Sequence, residues 1–235
     1  MRRFRIASYN IRKCVGLDRR RDSDRTLRVV SSLNADIVAL QEADRRLPPR
    51  PSALPDDTAR RLDMTALDVD PSTPSIGFHG NALLISSAFR CTRLHGLDLP
   101  GLEPRGAIMA ELERQGGGHL RIVATHLGLM RRYRKMQLGA ILDAIAKAPL
   151  MPTIIIGDFN EWSPDSGFAQ LADYNVHSPG FTFHAARPVA PLDRIAMSSG
   201  LTLISSRVAT AGEALRASDH LPIVADIALA TAQNA

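Results

Sequence analysis

Seven polar side chains stand where apolar runs of this chain begin or end. Asn10 closes "RFRIASY", Glu42 closes "DIVALQ", His126 follows "RIVAT", Asp158 and Asn160 follow "TIIIG", and Asp219 and His220 precede "LPIVADIAL". A carboxylate beside a buried run is costly unless it is paired or binds a cation. Each residue alone has an ordinary reading: Asn10 as a turn former, Glu42 in an ion pair, Asp158 as a turn residue after Gly157. Together they ask for one shared partner. Oxygen donors from Glu, Asp and Asn suit a hard cation such as Mg²⁺ or Mn²⁺ rather than zinc.

Groups that share a partner need rigid elements to hold them. Phe4 to Asn10 and Asp36 to Glu42 read as strands, with further strands at Asn81 to Ser86, Cys91 to Leu97, Gly106 to Glu113 and Leu120 to Thr125. Thr153 to Ile156, Arg194 to Met197, Leu201 to Ser206 and Leu221 to Ala228 complete the set. A helix from Asp24 to Leu33, capped by Asp22 or Ser23, puts Leu27, Val30 and Leu33 on one side. A second, from Arg131 to Lys147, carries Leu138, Ile141, Leu142 and Ile145 at buried-stripe spacing and ends before Pro149 and Pro152. Residues 46–56 and 70–76, rich in Pro, Ser and Asp, read as surface loops. Strands outnumber helices, which argues for an α/β chain with mixed sheets face to face and helices outside.

Length and composition bound the rest. A chain of 235 residues, 45% hydrophobic, buries a substantial core and is expected to form one domain, 1–235. No signal-peptide pattern and no apolar run of spanning length is visible, so the expectation is a cytoplasmic protein without a transmembrane segment. Cys14 and Cys91 lie far apart without ligand-like spacing and read as reduced and structural. The net charge of +5 favours an anionic partner. Its clusters at Arg19–Arg21, Arg45–Arg46 and Arg131–Lys135 fit solvated faces equally well.

"SYNIR", "DIVALQE", "HGNALLIS", "ATHL", "GDFN", "LDRI" and "SDHLP" occur in this order across almost the whole chain. That series resembles the endonuclease/exonuclease/phosphatase superfamily, with the fold of deoxyribonuclease I. The resemblance implies a four-layered α/β sandwich that hydrolyses phosphoesters with Mg²⁺ or Mn²⁺ in a cleft at one edge. It implies Glu42 as principal metal ligand, with Asn10 beside it and Asp219 as a further ligand. It places His220 on the scissile phosphate, oriented by Asp193, with His126 as a second phosphate-facing histidine. Asp158 and Asn160 would position the attacking water and a phosphate oxygen, Asp158 being the assigned base. Asn81, with His79 nearby, and Arg105 match positions near the cleft of relatives.

The neighbourhood of "GDFN" yields two further expectations. Phe159 should point into packing, and Trp162, the only tryptophan, either stacks on substrate at the rim or, the more common case, packs on the core. His95 and His119 fit solvated strand surface, while His177 and His184 flank a loop, "SPGFTF", that should neighbour Asp193. The leading expectation is a phosphodiesterase with nuclease-like activity on a nucleic-acid backbone. A phospholipid or small-metabolite phosphoesterase is the alternative, because the loops are modest and aromatic content is 5%. A catalytically silent scaffold of the same fold is the third reading, disfavoured because Glu42, Asp158 and His220 are all present.

Overall fold

A computed structural model describes residues 2–45, 49–163 and 166–230. Arg46 of the second basic cluster, with the rest of 46–48, lies outside them. Twelve strands form two six-stranded mixed sheets. The strands are β1 (Arg2–Asn10), β2 (Ile37–Gln41), β3 (Met64–Ala66), β4 (Ala82–Ser86), β5 (Phe89–Leu99) and β6 (Arg105–Arg114), then β7 (His119–His126), β8 (Thr153–Asp158), β9 (Asn175–His177), β10 (Asp193–Met197), β11 (Leu201–Val208) and β12 (Ile223–Leu229). The sheets run β11-β12-β1-β2-β4-β3 and β5-β6-β7-β8-β10-β9. Each has one parallel pair, β1 with β2 and β7 with β8, and these two pairs face each other across the core.

The helices lie outside, as the four-layer expectation requires. α1 (Ser23–Ser32) starts at Asp22, whose Oδ1 accepts the Arg25 amide at 2.8 Å, and it buries Leu27 and Val30 against the first sheet with the short α2 (Thr58–Leu62) and α4 (Ala214–Ala217) nearby. α3 (Arg131–Ala146) covers the second sheet through Leu138 and Ile141. Its buried stripe is less apolar than expected. Arg134 and Gln137 are buried too, because Arg134 pairs with Glu161 at 2.7 Å and Gln137 accepts the Gly128 amide at 2.7 Å, while Leu142 and Ile145 are only partly covered. The short β3, β9, α2 and α4 were not expected; each is five residues or fewer, too brief for a period to register.

Period-two alternation decides what faces the core. Phe4 and Ile6 of β1, Leu120, Ile122 and Ala124 of β7, Ile154 and Ile156 of β8, and Ile195 and Met197 of β10 share one cluster between the sheets. Continued to one end of the sandwich, the same parity gives Asn10, His126, Asp158 and Asp193. The core face becomes polar there. Each of these four residues is at most 4% exposed.

Candidate active site

The polar row is set by register before any side chain is considered. His126 on β7 and Asp193 on β10 are both cross-strand partners of Asp158 on β8. Gly157 lies inside β8 rather than in the expected turn: its φ is 148°, and a Cβ there would stand 1.8 Å from the Thr125 carbonyl oxygen. Glycine is required so that β7 and β8 can close behind the carboxylate. Asn160 turns back with φ of 50°, held by its amide on Asp158 Oδ1 at 2.9 Å and by its Nδ2 on the Leu127 carbonyl at 2.8 Å. Phe159 is fully buried in the outer core, as expected.

Asp158 Oδ2 is the point of convergence. Asn10 Nδ2 donates to it across the two sheets at 3.0 Å. His126 Nε2 approaches it at 3.4 Å and His220 Nε2 at 3.5 Å. His220 Nδ1 is held by Asp193 Oδ2 at 2.9 Å, and its backbone is fixed by Ser218, whose hydroxyl donates to the Asn10 carbonyl at 2.7 Å.

The two histidines are driven apart electrostatically. Burial, aided by Arg105 and His220, outweighs the attraction of Asp158 and lowers His126 to about 3, so it is neutral. Burial also opposes charge on His220, but the carboxylates of Asp193, Asp158 and Asp219 prevail and raise it to about 9. One imidazolium and one neutral imidazole therefore flank a single carboxylate at neutral pH.

A cleft of about 500 Å³ opens beside this row, lined in part by Lys13, Glu42, Arg50, His79, Glu103, Arg105, His126 and Leu129. Glu42, with φ of 53°, follows β2 and receives Lys13 Nζ on Oε2; Asp219 Oδ2 is paired with Arg12 Nε at 3.2 Å. Non-glycine residues in the left-handed region gather here: Arg12, Lys13, Glu42, Arg50, His79 and Asn160. Such strain persists only where surrounding structure imposes it. Arg105 lines the cleft with its Nε unpartnered among the described residues, its charge opposed by burial and favoured by Asp158 and Glu103.

A model of the Endonuclease/Exonuclease/phosphatase family matches residues 7–220. The chain belongs to the endonuclease/exonuclease/phosphatase family. Its members are phosphoester hydrolases that typically use divalent metals. An endonuclease/exonuclease/phosphatase from Beutenbergia cavernae DSM 12333 superposes with a TM-score of 0.75 at 21% identity, covering 100% of this chain and 74% of that one. D. rerio TDP2 complexed with single strand DNA product gives 0.74 at 18% identity, covering 97% and 100%. The mannosyl-6-phosphatase Bt3783 of Bacteroides thetaiotaomicron VPI-5482 gives 0.74 at 15%, covering 96% and 100%. No curated protein sequence matches the chain.

As a family member the chain gathers most of its expected residues at this edge. Asn10, His126, Asp158, Asn160, Asp193, Asp219 and His220 are joined by the contacts above, and Glu42, His79 and Arg105 line the cleft. Asn81 is not on the cleft wall. It is fully buried, and its Nδ2 donates to the Gly106 carbonyl at 2.9 Å, a link between the two sheets. Trp162 departs from the core-packing expectation: it is 58% exposed and meets Phe183 edge-on, at 6.0 Å between ring centroids. Glu161 is drawn inward by Arg134 of α3, and the next side chain stays outside. His95 and His119 are exposed, as expected. His177 sits in the β9–β10 pairing, and His184 touches Phe183.

Sequence reasoning missed Arg12, Lys13, Arg50, Glu103 and Phe183. Phe183 packs its ring on His220 at 5.1 Å. One signal was available for Lys13: it is among only three lysines in a chain with 26 arginines, and it falls three residues after Asn10.

Proposed function

We propose that the chain is a divalent-metal-dependent phosphodiesterase in which Asp158 aligns and deprotonates the attacking water. The observation that carries this reading is the convergence of Asn10, His126 and His220 on Asp158 Oδ2, with His220 held from behind by Asp193. A histidine that holds its proton up to about pH 9 is a poor base at neutral pH, which leaves the carboxylate as acceptor. The imidazolium of His220, kept in one tautomer by Asp193, is suited to stabilise charge growing on the phosphate oxygens. Neutral His126 can add a hydrogen bond without adding a second positive charge. Asn160, tied down through its backbone amide and its Nδ2, holds the turn that fixes Asp158.

The donor set fits a hard cation. Glu42 and Asp219 offer carboxylate oxygens and Asn10 a carboxamide oxygen, all at the same edge, and Lys13 and Arg12 already place positive charge on the two acids. Among the described residues the one tight group of acidic and imidazole ligand atoms is Asp158, Asp193 and His220, all within 4.8 Å of one another. We assign that group to proton and phosphate handling because its members already hydrogen-bond or pair with each other, and we assign Mg²⁺ or Mn²⁺ to Glu42 with Asn10 and Asp219. A bound divalent ion would supply Lewis-acid stabilisation of the charged phosphate.

Nuclease-like and lipid or metabolite substrates share this chemistry, and the named activities of TDP2 and Bt3783 span a DNA product and a sugar phosphate. Free Cys14 and Cys91 support a reducing compartment such as the cytoplasm. The test is hydrolysis of bis(p-nitrophenyl) phosphate with Mg²⁺ or Mn²⁺, which EDTA should abolish. Wild-type protein without turnover in either metal would restore the silent-scaffold reading.

A further inference from the structure

Ten large hydrophobic side chains are exposed among the described residues, and six of them form two groups near the site, one on the loops at 102 and 129–130 beside the cleft and one at 162 and 181–189 around the Phe183–His220 contact. Scattered exposed hydrophobics are ordinary; two groups beside a catalytic cleft are a surface. On one side are Leu102 (73% exposed), Leu129 (66%) and Met130. Their loops are fastened rather than loose: the Leu129 amide donates to Glu103 at 3.4 Å, and Gln137 ties the Gly128 amide at 2.7 Å to the Pro100 carbonyl at 3.0 Å. On the other side, the 181–190 segment that sets Phe183 against His220 exposes Phe181 and Val189, with Trp162 leaning on Phe183.

Charge accompanies both groups. Arg131 and Arg132 follow Met130 and are exposed, and Arg187 is exposed between Phe181 and Val189. No Asp or Glu occurs in 127–142 or 174–192. The two arginines occupy the first turn of α3, which has no acidic residue and no side-chain cap. Cations there oppose the helix macrodipole, an unfavourable placement that an anionic surface outside the protein would offset.

We propose that these two lips dock on a bilayer bearing anionic phospholipids, so that the phosphodiester reaching Asp158 is a lipid headgroup. The proposal rests on the phosphodiesterase reading given above. A nucleic-acid backbone would use the arginines and could stack on Trp162, but it offers nothing to Leu102, Leu129, Met130 and Val189. A bilayer interface accepts all of them: aliphatic side chains below the headgroups, tryptophan at the boundary, and arginine on the phosphates.

Trp162 is a built-in reporter, being the only tryptophan. Vesicles of equal parts phosphatidylcholine and phosphatidylglycerol should pellet the protein, shift its emission to the blue and allow quenching by brominated acyl chains. The Leu102→Ser, Met130→Ser double variant should weaken vesicle binding by at least about tenfold, while its bis(p-nitrophenyl) phosphate turnover without vesicles equals that of the wild type. Failure to bind these vesicles at low salt overturns the proposal. So does binding that the double variant leaves unchanged, or single-stranded or duplex DNA that displaces the vesicles and binds both proteins equally. Aryl-diester turnover separates the two readings: turnover without vesicle binding removes only the docking surface, whereas vesicle binding without turnover removes the hydrolase reading on which the lipid substrate depends.

Discussion

β7 carries a buried ionisable side chain near each end, and the two are treated in opposite ways. At its start Arg121, 1% exposed, meets Glu111 at 3.0 Å, the Pro149 carbonyl at 2.7 Å and the Thr153 hydroxyl at 3.4 Å. At its end His126 faces Asp158, which Asn10 and His220 also approach, while Asp193 Oδ1 has no partner among the described residues. One end gives its anion a close buried cation, Arg121, and a more distant exposed one, Arg93 at 3.9 Å. The other crowds two carboxylates with two imidazoles of unlike charge. A paired buried charge is the pattern of a structural contact, whereas crowded carboxylates and imidazoles are the pattern expected of the substrate site proposed above.

The contrast can be broken first at the matched end. Arg121→Met removes the buried partner of Glu111, leaving it only Arg93 at 3.9 Å, and should destabilise the protein by about 3 kcal/mol in urea denaturation, with turnover per folded molecule unchanged. A rate that fell with stability would mean the two ends are not independent. At the crowded end the balance should invert. Asp158→Asn keeps the shape and removes the charge, and steady-state kinetics should show a loss of about a hundredfold or more with stability within about 1 kcal/mol of wild type. Asp193→Asn should act through its neighbour: a rate loss of about tenfold, accompanied by a fall of the His220 titration from about 9 in NMR. A tenfold loss with that titration unmoved would deny Asp193 its positioning role.

The remaining test is the pH dependence of stability of the metal-free protein in EDTA. His126 is lowered to about 3 in the folded state against 6.5 unfolded, so its contribution is complete above about pH 6.5 and declines as pH falls toward 3. His220 is raised to about 9, so its contribution is complete below about pH 6.5 and is lost as pH rises through 9. Melting temperatures across pH should therefore fall on both sides, with His126→Asn flattening the acid limb and His220→Gln the alkaline one. Limbs that did not respond to their own substitution would place the titrating groups elsewhere.

Much of the crowded end was legible because β-strands alternate. A polar residue that keeps the parity of a buried strand, as Asn10, Asp158 and Asp193 do, must point between the sheets, and the sequence displays that parity directly. The segments without a period hid the rest. Lys13 and Glu42 meet through left-handed turns, Arg50 and Glu103 come from loops, and Phe183 reaches His220 only by a bridge between distant segments. Trp162 misled for a related reason: its size argues for burial, but its exposure follows from the Arg134–Glu161 pair contributed by another element.

β12 returns from the far side of the sequence to lie antiparallel to β1, with His220 just ahead of it. A ribosome making this chain releases Glu42, Asp158 and Asp193 long before it releases that histidine. On the role proposed for His220, a nascent chain from which residues 218–229 have not yet emerged is expected to show no turnover, so activity follows the assembly of most of both sheets.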